Sequence, residues 1–178
     1  PLTSDIIGLA APVSGWVRQV SRPEDIAQDA ADSVEASWGP PGQVSSLIIP
    51  ADCSWTDGIK PAAGRQRTIA EPAIDKAVSK TANLCAHGGK TALLIGAEGL
   101  TEAGLKAAGQ IAAKTGARLI AYTFEPLMQR GAGRIPVERI PYFPEDAEDA
   151  LRGLKHMVLC GSKEPVSFFS YPTGGGTL

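Results

Sequence analysis

The stretch with the clearest spacing for chemistry is Gly96-Ala97-Glu98-Gly99. It lies between an apolar run, Ala92–Ile95, and a segment in which Leu105, Ala108, Ile111 and Ala112 recur on one helical face. Backbone N–H groups at a glycine turn, with the positive end of a helix behind them, attract a phosphate. Thr123-Phe124-Glu125 follows the next apolar run and would form the adenosine side, where Glu125 could hold a ribose hydroxyl. Two features weigh against a bound nucleotide. Glu98 brings a full negative charge into the turn, and the glycine spacing is not that of the G-x-G-x-x-G fingerprint. We therefore read Gly96, Ala97, Glu98, Gly99, Thr123, Phe124 and Glu125 as a vestigial nucleotide site, with FAD or ADP as the alternative occupant. Arg130 and Arg134 could reach a phosphate, but two arginines in a glycine-rich stretch more simply form an exposed loop.

No nucleophile or acid–base constellation accompanies this turn. The chain has two histidines, His87 and His156, and neither has a partner nearby in sequence. They read as helix-end and strand-edge residues. Cys53, Cys85 and Cys160 lack metal-ligand spacing and read as reduced thiols. Asp52, Cys53 and Asp57 read as strand-end and turn residues rather than a metal or nucleophile cluster. The expectation is no catalytic residue and no metal ligand within this chain.

The elements that must position the turn are legible from periodicity. Ala92–Ile95 is too short and too apolar for anything but a buried strand of a parallel sheet. Thr101 is placed to cap the following helix, Gly116 to end it, and Arg118–Phe124 to form the next strand. The spacing predicts a helix over Glu71–Ala86, with Ile74, Ala77, Val78, Thr81 and Cys85 on one side. A loop over Pro126–Ile135 and a strand over Val137–Tyr142 follow. A helix then begins at Pro144, with further strands over His156–Cys160 and Val166–Tyr171. Upstream, Ser14–Val20 and Val44–Ile49 read as strands flanking a helix whose Ile26, Ala30, Val34 and Trp38 repeat at spacing four. Ser21 and Glu24 have the spacing of a capping box at its start, and Gly39–Gly42 ends it. This strand–helix–strand unit has too little apolar surface to fold alone. It should leave Trp16 or Trp38 uncovered.

The chain has 178 residues, 17 basic against 19 acidic groups and a formal net charge of −2, so it carries no basic stripe for nucleic acid. Its apolar runs are far short of a membrane span. The expected class is therefore α/β: a Rossmann-like parallel sheet flanked by helices, preceded by a strand–helix–strand remnant of another α/β domain. The expected location is cytoplasmic.

Four stretches carry a family resemblance: WVRQVSRPEDI, GPPGQVSSLIIPADCSW, LLIGAEGLTEAGLKAAGQIAAKTGA and VLCGSKEPVSFFSYP. Together they resemble the thiamine-diphosphate enzymes of the acetolactate synthase large-subunit type. In that family a helix, a GPxGPV turn and a strand ending IPxD close the pyrimidine-binding domain, which corresponds here to Ser21–Asp52. The resemblance implies the C-terminal part of a pyrimidine-binding domain over 1–54, a linker over 55–70, and a nucleotide-binding-like central domain of the DHS type over 71–178. It also implies a parent transferase or lyase that decarboxylates or joins 2-oxo acids with thiamine diphosphate and Mg²⁺. The family's Gly-Asp-Gly diphosphate motif does not occur in this chain. The family's activating glutamate lies in a part of the N-terminal domain that the match does not reach. The expectation is thus a piece of a longer enzyme that supplies scaffold and interface. Its partners would be the rest of the parent chain and further copies in a homodimer or homotetramer. The rival readings are a stand-alone nucleotide-binding module and a non-catalytic subunit of a complex.

Overall fold

A computed structural model describes residues 4–39, 42–57, 60–66 and 71–169. The chain divides into two compact units, Pro1–Pro72 and Ala73–Leu178.

The first unit opens with helix α1, Ile6–Ala10, capped by the Asp5 carboxylate, which accepts the Gly8 N–H at 2.8 Å. Strand β1, Trp16–Gln19, leads through a 3-10 turn at Pro23–Asp25 into helix α2, Ile26–Trp38, then strand β2, Ser45–Ile48, and helix α3, Ala51–Ser54. β1 and β2 pair in parallel, Trp16 opposite Ser45 through Gln19 opposite Ile48. The capping box does not form. Arg22 stands at the cap of the 3-10 turn and ties itself to the Asp25 carboxylate at 2.8 and 2.9 Å, so Ser21 has no helical N–H to accept. Of the expected stop at Gly39–Gly42, residues 40 and 41 lie outside the described residues. Few side chains are buried here: Val20 and Cys53 are, while Val34 and Trp38 remain 47% and 41% exposed. That exposure matches the expectation for so small a strand–helix–strand unit.

α3 lies just before the stretch read as linker, and within that stretch Arg65 folds back onto α2. Its guanidinium donates to Asp32 at 2.6 Å, and Asp32 also accepts from Arg18 and Gln28 at 2.8 and 2.7 Å. These three donors, Arg65 foremost, hold the Asp32 carboxyl at about 2, against an ordinary 3.8.

The second unit runs α4 (Asp75–Cys85), β3 (Thr91–Ile95), α5 (Glu102–Thr115), β4 (Arg118–Ala121), β5 (Glu138–Arg139), α6 (Pro144–Leu151) and β6 (His156–Cys160). Its sheet has the order β5-β4-β3-β6 with every pair parallel. β3 sits inside the sheet and all five of its residues are buried. Its side chains alternate between two cores. Leu93 and Ile95 join Cys85, Leu105, Ala108 and Leu119 on one face, whereas Ala92 and Leu94 join Ile120, Ile140 and Ala147 on the other. Helices therefore cover both faces, which is why this strand reads as an unbroken apolar run. Each fully buried Leu or Ile contributes about 1.5–3 kcal/mol. Gly116 ends α5 in the left-handed conformation at φ 76°, its N–H bonded to the Ala112 carbonyl at 2.7 Å.

Three expectations in this unit are corrected. α4 starts at Asp75, not Glu71; Ile74 stands at its N-cap and is 71% exposed, so the helix packs chiefly through Cys85. The strand expected over 137–142 shortens to Glu138–Arg139, because Ile140 turns in to the core and Tyr142 and Phe143 lead into α6. Val166 makes a single ladder contact and no strand follows it through residue 169; Ser170 and Tyr171 lie outside the described residues.

Candidate functional site

In this sheet β4 and β5 lie on one side of β3 and β6 on the other. β3 connects through α5 to β4 on one side, whereas β6 is added on its other side, so the strand order reverses between β3 and β6, the position where open α/β sheets hold ligands. Gly96 follows β3 at that point and Gly161 follows β6.

The two turns are pressed together. The Gly96 N–H donates to the Cys160 carbonyl at 3.0 Å. A Cβ on Gly96 would stand 2.7 Å from the Gly161 carbonyl oxygen, 3.0 Å from Glu125 Oε1 and 3.2 Å from Ser162 Cα. Gly96 is thus required by close backbone approach. The chain then winds through a 3-10 turn, Ala97–Leu100, with Ala97 at φ 47°. The left-handed region costs an L-residue roughly 1–2 kcal/mol. The side chain of Glu98 lies outside the described residues.

Gly96, Gly99 and Glu125 are brought together, as a shared site requires. Glu125 places its carboxylate against the turn, with Oε1 3.0 Å from where a Cβ on Gly96 would stand. Thr123 is spent on the fold: its hydroxyl donates to the Ile140 carbonyl at 2.8 Å, and its carbonyl accepts from Arg139 at 3.1 Å. Phe124 joins an aromatic group, with ring centroids 5.8 Å from Tyr122, 5.7 Å from Tyr142 and 5.6 Å from Phe168.

The helix N-terminus behind the turn is covered by the chain's own loop. Gln129 Oε1 accepts the Glu102 N–H at 2.5 Å, and the Gln129 N–H donates to the Leu100 carbonyl at 3.1 Å. Arg134 bonds the Glu102 carboxylate at 2.9 Å. Its Nε is buried without a partner among the described residues. Arg130 stays exposed. An oxygen acceptor thus already occupies a backbone donor that a phosphate oxygen would use. Sequence reasoning did not find Gln129, because it lies 27 positions beyond Glu102 and no local pattern links them.

The three thiols are held away from their reactive form. Burial pushes the thiols of Cys53, Cys85 and Cys160 up, away from the thiolate that nucleophilic chemistry needs. Among the described residues no three His, Cys, Asp or Glu side chains converge as a metal site.

With this geometry in view, the resemblance expected from the sequence is borne out. Over 172 residues, 97% of its length, the chain is 42% identical to the Mycobacterium tuberculosis protein named "Putative acetolactate synthase large subunit IlvX". It spans about a third of that protein, 33%. The X-ray structure of "a putative thiamin diphosphate-dependent enzyme isolated from Mycobacterium smegmatis" superposes with a TM-score of 0.70 over 98% of this chain and 34% of its own, at 20% identity. At that identity the likeness shows the fold alone, an α/β architecture of helix-flanked parallel sheets. No protein-family model matches the chain.

Proposed function

We propose that this chain is the scaffold portion of a thiamine-diphosphate-dependent, acetolactate-synthase-like enzyme that decarboxylates and joins 2-oxo acids. The observation that carries the proposal is the 42% identity to the IlvX protein, sustained across 97% of the chain. In this reading residues 1–54 close a pyrimidine-binding domain, 55–70 link, and 71–178 form a central domain. Coverage of 33% of the relative supports the view that further domains complete the enzyme.

The chain's own residues do not fit the cofactor. The sequence has no Gly-Asp-Gly, and among the described residues no three metal-ligating side chains converge. When bound elsewhere in the enzyme, thiamine diphosphate supplies the electron sink for the 2-oxo acid carbanion. This chain contributes rigidity. Its fully buried β3 and the interlocked Gly96 and Gly161 turns favour a fixed block against which other domains or copies can be held, as a homodimer or homotetramer in the cytoplasm. Among the described residues no helix is long and apolar enough to cross a membrane.

We assign the Gly96–Gly99 turn a packing role. Glu125 sets a carboxylate over it, and Gln129 takes the Glu102 N–H behind it. The test is turnover with pyruvate, thiamine diphosphate and Mg²⁺, read as acetolactate and carbon dioxide. The purified 178-residue chain should give none, and the longest product of its gene should give both. Turnover by the short chain, or none by the long one, would refute the scaffold reading.

A further inference from the structure

At the opposite end of the same sheet the chain's two histidines meet. His87 follows the C-terminus of α4, and His156 opens β6 in register with Thr91. Their ring centroids are 5.1 Å apart with planes inclined at 41°. His87 is exposed and His156 half-buried, and neither ring has a hydrogen-bond or ion-pair partner among the described residues. Sequence reasoning found no partner for either, because the contact is made only by the sheet.

We propose that His87 and His156 form a two-imidazole site for a divalent transition-metal ion of the zinc, nickel and copper class. A metal–nitrogen bond of about 2.05 Å, plus roughly 1.15 Å from nitrogen to ring centre, puts each centroid ~3.2 Å from a shared ion. Two imidazoles at the tetrahedral angle then have centroids ~5.2 Å apart, and at a right angle ~4.5 Å. The observed 5.1 Å lies inside this window. The rings also sit beyond the end of α4, whose carbonyls give the helix terminus a partial negative charge that favours a cation. No basic residue lies in the last turn of α4.

The ligand class follows from the donors. Imidazole suits zinc, copper and nickel, whereas Mg²⁺ and Ca²⁺ take oxygen ligands. Water fills the remaining positions, so the ion exchanges readily. Lys90 and Lys155 flank the pair, the Lys155 N–H bonded to the Lys90 carbonyl at 2.8 Å. Both are exposed. Their charges oppose a dication, which further makes the site reversible. Bound metal would clamp the end of α4 to the start of β6. This inference does not depend on the thiamine-diphosphate assignment.

The test uses the tag-free chain, with imidazole nitrogen resonances followed by NMR during titration with ZnCl₂ and heats measured with NiCl₂. Both rings should respond together at one equivalent of Zn²⁺, with no response to MgCl₂. His87→Ala and His156→Gln should each weaken Ni²⁺ binding by on the order of 100-fold, because the second imidazole acts at high effective concentration in the intact pair. A response from one ring only, none at millimolar Zn²⁺, or single variants that bind like the wild type would each overturn the site. The first readout needs no variant and holds whether or not either substitution folds.

Discussion

Gly104 and Gly109 lie on the same helix, α5, and the structure assigns them opposite sensitivities. In a helix interior, replacing Gly by Ala stabilises by about 1 kcal/mol through propensity alone. At Gly104 the added methyl would stand 2.5 Å from the Gly99 carbonyl oxygen, 2.7 Å from its Cα and 2.8 Å from its carbonyl carbon. All three are backbone atoms of the Gly96–Gly99 turn, itself locked against Gly161, so relief requires the helix and turn to separate. Overpacking of this kind costs up to about 3 kcal/mol. Subtracting the propensity gain leaves a net loss near 2 kcal/mol, a fall in Tm on the order of 10 °C for a unit of ~100 residues. At Gly109 the three atoms nearest the methyl all belong to the side chain of Ile135, the closest Cγ1 at 2.6 Å, and Ile135 is 38% exposed, so a side chain rather than backbone has to give. Gly109→Ala should therefore stay within about 1 kcal/mol of the wild type, the propensity gain offsetting the displaced side chain. Thermal and urea unfolding of the two variants, followed by circular dichroism, measure the difference. If Gly104→Ala is as stable as the wild type, or Gly109→Ala is the more damaging, the close packing of turn on helix is not what holds this region.

Two further outcomes are expected. Asp32 has its folded pKa lowered to about 2, so the stability it contributes is present above its ordinary 3.8 and is lost as pH falls through about 2. Tm against pH should therefore show Asp32→Asn below the wild type near neutrality, with the two curves converging toward pH 2; a constant gap would show that the charge of Asp32 is not what Arg65, Arg18 and Gln28 recognise. Calorimetric titration with FAD, ADP and NAD should give no binding tighter than roughly 10 μM, about −7 kcal/mol. A carboxylate about 5 Å from a phosphate, at an effective dielectric near 20, repels it by about 3 kcal/mol. Glu125→Gln should weaken that repulsion, so tight binding by the wild type would refute the packing role of the turn.

The sequence by itself determined the local architecture around β3. Ala92–Ile95, the turn glycines, the helical spacing of Leu105 and Ala108, and Gly116 each act within a few residues, so their pattern is printed in the chain. The strand–helix–strand character of residues 14–50 was legible for the same reason. It did not determine where elements stop short. The strand expected over 137–142 lost most of its length to packing of Ile140, and the Ser21 cap was displaced by the 3-10 turn and the Arg22–Asp25 pair. Only the tertiary structure decided which residues meet at the two ends of the sheet. Parallel pairing brings the Gly96 and Gly161 turns together at one end and His87 and His156 together at the other. Gln129 reaches α5, and Glu125 covers Gly96, through loops that have no periodicity of their own. Hydrophobic patterning specifies which face of an element is buried, but contacts between distant side chains are set by sheet order and register, which local spacing does not encode.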